Sequence, residues 1–451
     1  MLFYPAMTKV LAVTLEPISA RMAGPAIRCV ELAKEIAKCC EVTVYSPRDT
    51  DIDPDQFYAD NKVRLVAGTS KSALYELARS SDVLFLQANV LKPYPLLARI
   101  DKHIVVDLYD PYLLAVLAQF DPDDISAHAS YSLMHQVLEQ HMQIADFTIC
   151  ASERQRDYWL GRYCALGRLT PEMYKFDRSF RKLIDCVPFG LGDNPPVRTG
   201  PGMKDGTVGG ITKNDFVLLW GGGIWEWFDP LTVIRAVAGV ASRHPHVKLY
   251  FMGFKSPNPQ VPLMEMAVRA KDLAAQLGVL DRNVFFNESW TSYEDRVNYL
   301  LDADVAVSAH FDLPETRFSF RTRILDYLWA GLPVLTTCGD QLADMINAAG
   351  AGVALPYEDV AAWERAIESL ATDSSLRSKY SAGATAVGAQ FAWSKVATPL
   401  VEFCRHPHHL PKFHEVRMPS LVDRARAVYS RGGKDLVLRR SKELLRDMIR
   451  R

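Results

Sequence analysis

The chain carries no surplus of charge of either sign, since 52 Lys and Arg stand against 53 Asp and Glu. A nucleic-acid-binding protein would carry a basic surplus, so we expect no nucleic-acid partner. No run of about 20 apolar residues occurs, and the sequence therefore predicts no membrane span. The first residues, MLFYPAMTKVLAVTL, lack a basic region and a small-residue cleavage site, so we also predict no signal peptide.

Local metal and redox motifs are missing as well. The eight cysteines form no C-x-x-C pair and no zinc-ligand spacing, so we predict neither a zinc site nor a disulfide framework. Free thiols are typical of a reducing compartment, which favours a cytoplasmic protein. The G-x-G-x-x-G fingerprint is absent, and this disfavours a nicotinamide-dependent oxidoreductase.

The chain does have 451 residues, 49% of them hydrophobic, which is enough for two domains. Short apolar runs with β-branched residues alternate with stretches of helical spacing, a pattern typical of a parallel sheet covered by helices on both faces. The predicted strands of the first half are residues 10–14, 42–45, 83–86, 104–107, 147–150 and 183–186.

A segment rich in Gly and Pro, residues 190–210, interrupts this alternation and predicts a linker. Strands are predicted again at residues 216–220, 247–252, 284–286, 305–308 and 334–336. We therefore predict two Rossmann-like domains facing a central cleft. The predicted parts are a first domain at 1–194, a linker at 195–212, a second domain at 213–390, a returning helix at 391–409 and a basic amphipathic tail at 410–451.

Three glycines, Gly221, Gly222 and Gly223, follow the first predicted strand of the second domain. Ligands of open parallel sheets bind beyond the carboxyl ends of the strands, and a glycine loop before a helix suits a phosphate. The alternative is a tight turn without a ligand. The aromatic residues next to it, Trp225 and Trp227, are equally compatible with stacking on a base or sugar and with packing between domains.

The segment 310–337 contains a cluster of charged residues: Glu315, Arg317, Arg321, Arg323 and Asp326. Guanidinium groups suit phosphate oxygens, so the arginines predict an anion site, and Asp326 suits the hydroxyls of a ribose. The alternative is a solvated face whose charges pair with one another. His310, at the end of the preceding strand, is compatible with ligand contact or with packing.

The run from Glu315 to Asp326, followed by Tyr-Leu-Trp-Ala-Gly-Leu-Pro-Val, resembles the donor-site motif of glycosyltransferase family 4, retaining enzymes of the GT-B fold. Other pieces of the chain resemble the family in the same order: residues 24–28, 187–190, 221–223 and 391–393. The resemblance spans about residues 9–404. It implies transfer of a sugar from a nucleoside-diphosphate sugar, with retention and with no required metal or cofactor.

The resemblance also implies roles for individual residues. Asp326 would hold the ribose and Glu315 the donor sugar, and the amides of Ser319 and Phe320 would bind the diphosphate. Trp290 and Thr291 would border the base. The loop with Gly24 and Arg28 would lie on the acceptor side of the cleft, opposite the donor.

The chain departs from the family pattern at three places. The second acidic residue of the motif is Asp326 rather than Glu, and Glu315 matches the motif only with a small insertion. The loop GGGIWEWFDP has no basic pair after the glycines, and we predict that Arg321, Arg323 and Lys255 replace it. A His-Asp pair of the family appears here as Tyr109-Asp110. We predict that Asp107 and Asp110 orient acceptor hydroxyls, and the alternative for Asp110 is a helix N-cap before Pro111.

Residues 434–451 place apolar residues on one helical stripe and Arg and Lys on much of the remainder. A basic amphipathic helix suits an anionic membrane surface, so we predict peripheral contact with the inner face of the membrane, with packing on the protein body as the alternative. We predict a hexosyl- or deoxyhexosyltransferase that acts on a glycan or lipid-linked glycan in cell-surface polysaccharide or glycoconjugate synthesis. The remaining alternatives are a catalytically silent sugar-binding or scaffold protein and a GT-B sugar-nucleotide epimerase.

Overall fold

The computed structural model describes residues 7–20, 22–119, 123–255, 262–289, 291–292 and 294–411. Within them the first domain contains one parallel sheet of seven strands in the order β3-β2-β1-β4-β5-β6-β7. Its strands are β1 Lys9–Val13, β2 Glu41–Ser46, β3 Val63–Ala67, β4 Val83–Gln87, β5 His103–Asp107, β6 Phe147–Cys150 and β7 Ile184–Cys186.

The second domain contains a parallel sheet of six strands in the order β10-β9-β8-β11-β12-β13. Its strands are β8 Phe216–Trp220, β9 Val247–Phe251, β10 Val284–Phe286, β11 Val305–Ser308, β12 Val334–Thr337 and β13 Gly352–Leu355. Strands β4, β8, β11 and β12 are buried at every residue, because helices cover both faces of the sheets, and this explains their unbroken apolar sequences.

Helices connect the strands throughout. They are α1 Gly24–Ala37, α2 Pro54–Asn61, α3 Lys71–Ser80, α4 Tyr112–Ala115, α5 Ile125–Ile144, α6 Glu153–Ala165, α7 Pro171–Phe176, α8 Pro230–Ala241, α9 Glu265–Gln276, α10 Arg296–Leu300, α11 Pro314–Phe318, α12 Thr322–Trp329, α13 Gln341–Ala349, α14 Val360–Thr372, α15 Ser374–Gly388, α16 Trp393–Val396 and α17 Thr398–Arg405. Short 3-10 helices lie at Pro95–Arg99, Val116–Gln119, Met203–Asp205 and Ala389–Phe391. Several helices have a side-chain cap at their N-terminus. In α8, for example, the carboxylate of Asp229 accepts from the N–H of Thr232 at 3.0 Å.

The two Rossmann-like domains predicted from the sequence are confirmed, and two strands were missed. Strand β3 lies at the edge of its sheet and carries the exposed Arg64, which interrupts the apolar run. Strand β13 has four residues and begins at Gly352, so its sequence has little strand character. Both are edge strands, where burial on two faces no longer dictates an apolar sequence.

The predicted linker, 195–212, packs on the second domain. Arg198 pairs with Asp302, and the N–H of Thr199 donates to the side chain of Asn298 at 2.8 Å. After the second domain the chain returns to the first domain, within the range predicted for the returning helix, 391–409. There the ring of Phe403 in α17 stacks on Phe147 with centroids 5.1 Å apart. The predicted returning helix is divided into α16 and α17.

The predicted tail falls almost wholly at 412–451, outside the described residues. In the described part of the chain, none of the helices combines the length and apolar character that a membrane span requires. The strand order reverses between β1 and β4 in one sheet and between β8 and β11 in the other. The loops after these strands are therefore where a ligand site is expected.

Candidate active site

A cavity of about 480 Å³ lies between the carboxyl ends of the two sheets. We call its two sides the first-domain wall and the second-domain wall. The first-domain wall consists of Glu16, Met22, Ala23, Gly24, Pro25, Ile27, Tyr109, Asp110, Ala115 and Phe189. The second-domain wall consists of Gly221, Gly222, Gly223, Trp225, Trp227, Phe228, Met252, Gly253, Thr291, Ser292, Arg296, Glu315, Ser319, Phe320, Arg321, Thr322, Arg323 and Asp326.

The glycine loop after β8 is held against helix α12. The N–H of Gly221 donates to the hydroxyl of Tyr327 at 2.7 Å, and that hydroxyl donates to the carbonyl of Val307 at 3.0 Å. A Cβ at Gly221 would meet the Tyr327 ring at 2.8 Å, and Gly222 has φ of +94°. Only glycine satisfies both constraints, so the backbone of this loop borders the cavity directly.

Arg323 supplies the positive charge that the glycine loop lacks. Its Nη2 donates to the carbonyl of Gly223 at 2.7 Å, and its guanidinium lies 4.1 Å from the centre of the Phe228 ring. Burial lowers the pKa of Arg323 to about 10, so the group remains charged at neutral pH. Its Nη1 has no partner in the described part of the chain. Arg323 therefore lines the cavity, and its predicted role in place of the missing basic pair stays a prediction.

Arg321 has a different environment, because it forms a two-pronged ion pair with Glu315. The two N–O distances are 3.0 and 2.6 Å, and both side chains are about 95% buried. The pair spans six residues, from α11 to the residue before α12. In this arrangement Glu315 and Arg321 neutralise each other at the edge of the cavity.

Asp110 faces this ion pair from the first-domain wall. Its carboxyl is open to the cavity, yet the surrounding protein removes enough water to raise its pKa to about 7, and the charge of Glu315 adds to this effect. Arg321 acts in the opposite direction. The alternative role as a helix cap does not apply, because α4 begins after Pro111 without a side-chain cap. Asp110 is therefore a carboxyl that titrates near neutral pH inside the cleft.

The N-terminus of α12 opens toward the same cavity. Helix α12 has no side-chain cap, and the N–H groups of Phe320, Thr322 and Arg323 donate to no acceptor in the described part of the chain. Of the two amides predicted to bind the diphosphate, that of Phe320 belongs to this group, whereas the N–H of Ser319 donates to the carbonyl of Glu315 at 2.9 Å and is not free for a phosphate. Uncapped N–H groups at a helix start favour an anion.

Asp326 lies on the second-domain wall, where its carboxylate pairs with Nε of Arg296 at 3.2 Å. The guanidinium of Arg296 also lies 5.3 Å from the ring centre of Trp329. Sequence reasoning missed Arg296, since it belongs to the short helix α10 and follows no strand directly. Thr291 is on the same wall, and its hydroxyl accepts from the side-chain amide of Asn287 at 3.1 Å.

Of the residues predicted for the site, three do not line the cavity and one lies outside the described residues. Lys255 is exposed and does not line the cavity, so it does not replace the missing basic pair. Arg28 and Asp107 are completely buried and pair through two hydrogen bonds of 2.7 and 3.0 Å, which keeps both side chains away from an acceptor. Trp290 lies outside the described residues.

Of the remaining first-domain predictions, Gly24 and Tyr109 line the cavity beside Asp110. Arg28 has a structural role here: it also donates to the carbonyl of Val187 at 2.7 Å and to that of Pro188 at 2.9 Å. Its guanidinium lies 4.9 Å from the centre of the Tyr109 ring. The buried pair thus ties α1 to β5 and to the end of the first domain, and it supports the wall from behind.

The two tryptophans after the glycine loop line the cavity, whereas His310 does not. Trp225 and Trp227 both line the cavity, with parallel rings 5.5 Å apart. His310 is completely buried behind the wall, 3.8 Å from the carboxylate of Asp340, and does not line the cavity. Burial lowers the pKa of His310 and raises that of Asp340 to about 6. His310 is therefore a packing residue in this structure.

The part of the chain that forms the second-domain wall matches a known family model. Residues 215–373 match the family model described as Glycosyl transferases group 1. A curated relative, D-inositol 3-phosphate glycosyltransferase of Saccharomonospora viridis, is 24% identical over 196 residues. That match covers 44% of this chain and 44% of the relative, so the chain matches less than half of the relative's length.

Solved structures cover most of the chain. Sucrose-phosphate synthase from Thermosynechococcus elongatus has a TM-score of 0.62 at 15% identity, covering 88% of this chain and 98% of its own. HepE of Anabaena in complex with UDP-glucose has a TM-score of 0.63 at 16% identity, covering 87% and 98%. The GT-B fold predicted from the resemblance is confirmed, and so is the resemblance to the glycosyltransferases.

Proposed function

We propose that the chain transfers a sugar from a nucleoside-diphosphate sugar to a glycan or lipid-linked glycan, with retention at the anomeric carbon. One observation carries the proposal. The segment that matches the glycosyltransferase model places a glycine loop, a cation and an uncapped helix start on one wall of a cleft, facing the carboxyl of Asp110 on the other. The named relatives are consistent with this chemistry, since one is a glycosyltransferase and another was solved with UDP-glucose.

The donor diphosphate would bind to the second-domain wall. Its oxygens would accept hydrogen bonds from the N–H groups at the start of α12 and from Arg323. These groups are fixed before the reaction, so they would stabilise the negative charge that develops on the leaving diphosphate. Asp326 would bind the ribose hydroxyls, and Thr291 would border the base.

The acceptor would bind to the first-domain wall, which presents Glu16, Tyr109 and Asp110. Carboxyl groups suit sugar hydroxyls, and Asp110 would accept the hydrogen bond of the attacking hydroxyl. A pKa of about 7 makes Asp110 a proton acceptor that is ionised in an appreciable fraction at neutral pH. Retention without a protein nucleophile would place most of the catalytic work on positioning and on stabilising the leaving group.

Glu315 and Arg321 would then work as a unit. When the donor binds, its diphosphate would compete with Glu315 for Arg321, and Glu315 would be released toward the donor sugar. No metal is part of this proposal, because the arginine and the helix start supply the positive charge. The stacked pair Trp225 and Trp227 would offer an apolar face to a sugar ring or base.

Binding of the donor is tested by thermal unfolding of the chain with UDP, GDP, dTDP, ADP and NAD added separately. A ligand at about 100 times its dissociation constant stabilises a fold by roughly 2.7 kcal/mol, which is a readable shift. We expect one nucleoside diphosphate to raise the melting temperature and NAD to have no effect. A response to none of the diphosphates would favour a silent scaffold, and a response to NAD alone would contradict the donor assignment.

Transfer is tested with the sugar nucleotide of the base so identified, offered with inositol phosphate and with lipid-linked glycans. Product NMR then reports the anomeric configuration, and inversion would contradict the proposed retention. The proposal also includes cytoplasmic location and contact with the inner membrane face through 434–451, a segment outside the described residues. Co-sedimentation with anionic but not neutral vesicles is expected.

A further inference from the structure

A second group of chemically reactive side chains lies away from the cleft. His103 is the first residue of β5, and Asp146 directly precedes β6, so both lie at the amino ends of their strands. The cleft lies at the carboxyl ends. His409 belongs to the segment that follows α17, and that segment crosses this opposite edge of the first sheet. The three residues are distant in sequence and meet only because the chain returns to the first domain.

The three side chains are close enough to share one ligand. One potential ligand atom from each lies within 4.8 Å of the other two. Nδ1 of His409 is 3.0 Å from Oδ1 of Asp146, and the rings of His103 and His409 are 4.1 Å apart. Zinc bonds of about 2.0–2.2 Å place the ligand atoms of a tetrahedral site roughly 3.3 Å apart, so small side-chain movements would suffice.

The hydrogen bonds around this group favour ligation. Oδ2 of Asp146 accepts from the N–H of Ile104 at 3.0 Å, which orients the carboxylate. Its Oδ1 lies 3.0 Å from Nδ1 of His409 and also accepts from the N–H of Leu410 at 3.4 Å. Nδ1 of His103 is buried and has no hydrogen-bond partner in the described part of the chain. A buried polar atom without a partner costs free energy, and a metal bond to this nitrogen would remove that cost.

We propose that His103, Asp146 and His409 bind a divalent transition-metal ion of the zinc type. Two imidazoles and one carboxylate suit zinc better than magnesium or calcium, which prefer oxygen ligands. The site is distinct from the proposed catalytic chemistry, which needs no metal. It fastens the segment after α17 to the first domain, and water would complete the coordination because His409 is 57% exposed.

The test is calorimetric titration of the chelator-treated full chain with zinc chloride, repeated with magnesium chloride. We expect one zinc site per chain with micromolar or tighter affinity, and no comparable magnesium binding. His409→Ala is the main variant, because the side chain it removes is exposed and we expect the variant to fold, and Asp146→Asn is the second. Each should weaken zinc binding at this site by at least tenfold.

His406→Ala is the matched control. His406 lies in the same segment with its side chain 71% exposed, and its contact is with Glu402 rather than with the proposed ligands. This variant should bind zinc as the parent chain does. Zinc should also raise the melting temperature of the parent chain and of His406→Ala, but not of His409→Ala. Absence of zinc binding, or equal binding in His409→Ala and the parent, would overturn the proposal.

Discussion

The two walls of the cleft differ in charge and in how they are built. The second-domain wall carries three arginines, two carboxylates, a glycine loop and a helix start, whereas the first-domain wall carries two carboxylates and no arginine or lysine. Arg28, whose guanidinium lies 4.9 Å from the centre of the Tyr109 ring, is buried behind the first-domain wall and neutralised by Asp107. An anionic diphosphate is therefore expected on one wall and the hydroxyl groups of an acceptor on the other.

The two walls also differ in where their ion pairs lie relative to the cavity. On the first-domain wall the strong ion pair is structural and Asp110 is left to face the cleft. On the second-domain wall the ion pair between Glu315 and Arg321 lines the cavity itself. Substitutions should therefore affect stability alone, turnover alone or nucleotide affinity alone, depending on which group they remove.

The largest expected effect is on stability. Arg28→Ala removes one partner of a buried pair and leaves Asp107 charged and unpaired, so the free energy of unfolding should fall by about 3–5 kcal/mol. Urea unfolding measures this, and Arg405→Ala, which breaks an exposed pair with Glu402, should cost less than about 1 kcal/mol. Equal losses in both variants would mean that the buried pair does not support the wall.

The next largest effect concerns turnover. Asp110→Asn removes the proposed proton acceptor and should lower kcat by about 100-fold or more, with nucleotide affinity unchanged within about twofold. Steady-state kinetics and calorimetry separate the two quantities. Asp312→Asn alters an exposed carboxylate that does not line the cavity and should leave both unchanged. Weakened nucleotide binding in Asp110→Asn would contradict the assignment of the donor to the second-domain wall and of the acceptor to the first-domain wall.

A smaller effect is expected on nucleotide affinity. Arg323→Ala removes a charged hydrogen-bond donor, worth about 1.5–3 kcal/mol, and should raise the Kd of the nucleoside diphosphate by roughly 10- to 100-fold. Arg317→Ala is the matched control, since Arg317 is exposed in the same segment and does not line the cavity. Arg321 is less suitable, because its removal also leaves the buried Glu315 unpaired. Similar affinities for both variants would argue against the Arg323 assignment.

The smallest effect is the dependence on pH. The pKa of Asp110 is raised to about 7, so the neutral acid dominates below pH 7 and the carboxylate above it. If the carboxylate is the active form, the rate should rise with pH and should be about fivefold lower at pH 6 than at pH 7. The rate of Asp110→Asn should not show this rise with pH. A rate that falls as pH rises would contradict a proton-accepting role.

The order of elements could be predicted from the sequence because buried strands impose continuous apolar runs. The glycine loop could be placed for a related reason, since it directly follows β8. Arg323 and Asp326 lie between β11 and β12 and could be placed from the cluster of arginines and from the resemblance to the donor-site motif. Lys255 also follows a strand, but it is exposed and does not line the cavity, so proximity to a strand end does not by itself place a residue in the site.

The remaining features depend on contacts between distant parts of the chain. The pairing of Arg28 with Asp107 joins residues 79 positions apart, and no local pattern marks it. Arg296 reaches Asp326 from the short helix α10, and His409 reaches Asp146 only after the chain has crossed both domains. The prediction of no zinc site rests on local cysteine spacing and stays a prediction, because such spacing carries no information on His and Asp side chains that meet only in the fold.

The most direct test of the account is a crystal structure of the chain with its nucleoside diphosphate bound. We predict that the phosphate oxygens lie within hydrogen-bond distance of Arg323 and of the N–H groups at the start of α12, with the ribose at Asp326 and the Asp110 side of the cleft still open. A diphosphate bound against the first-domain wall, or away from the start of α12, would contradict the assignment of donor and acceptor sides.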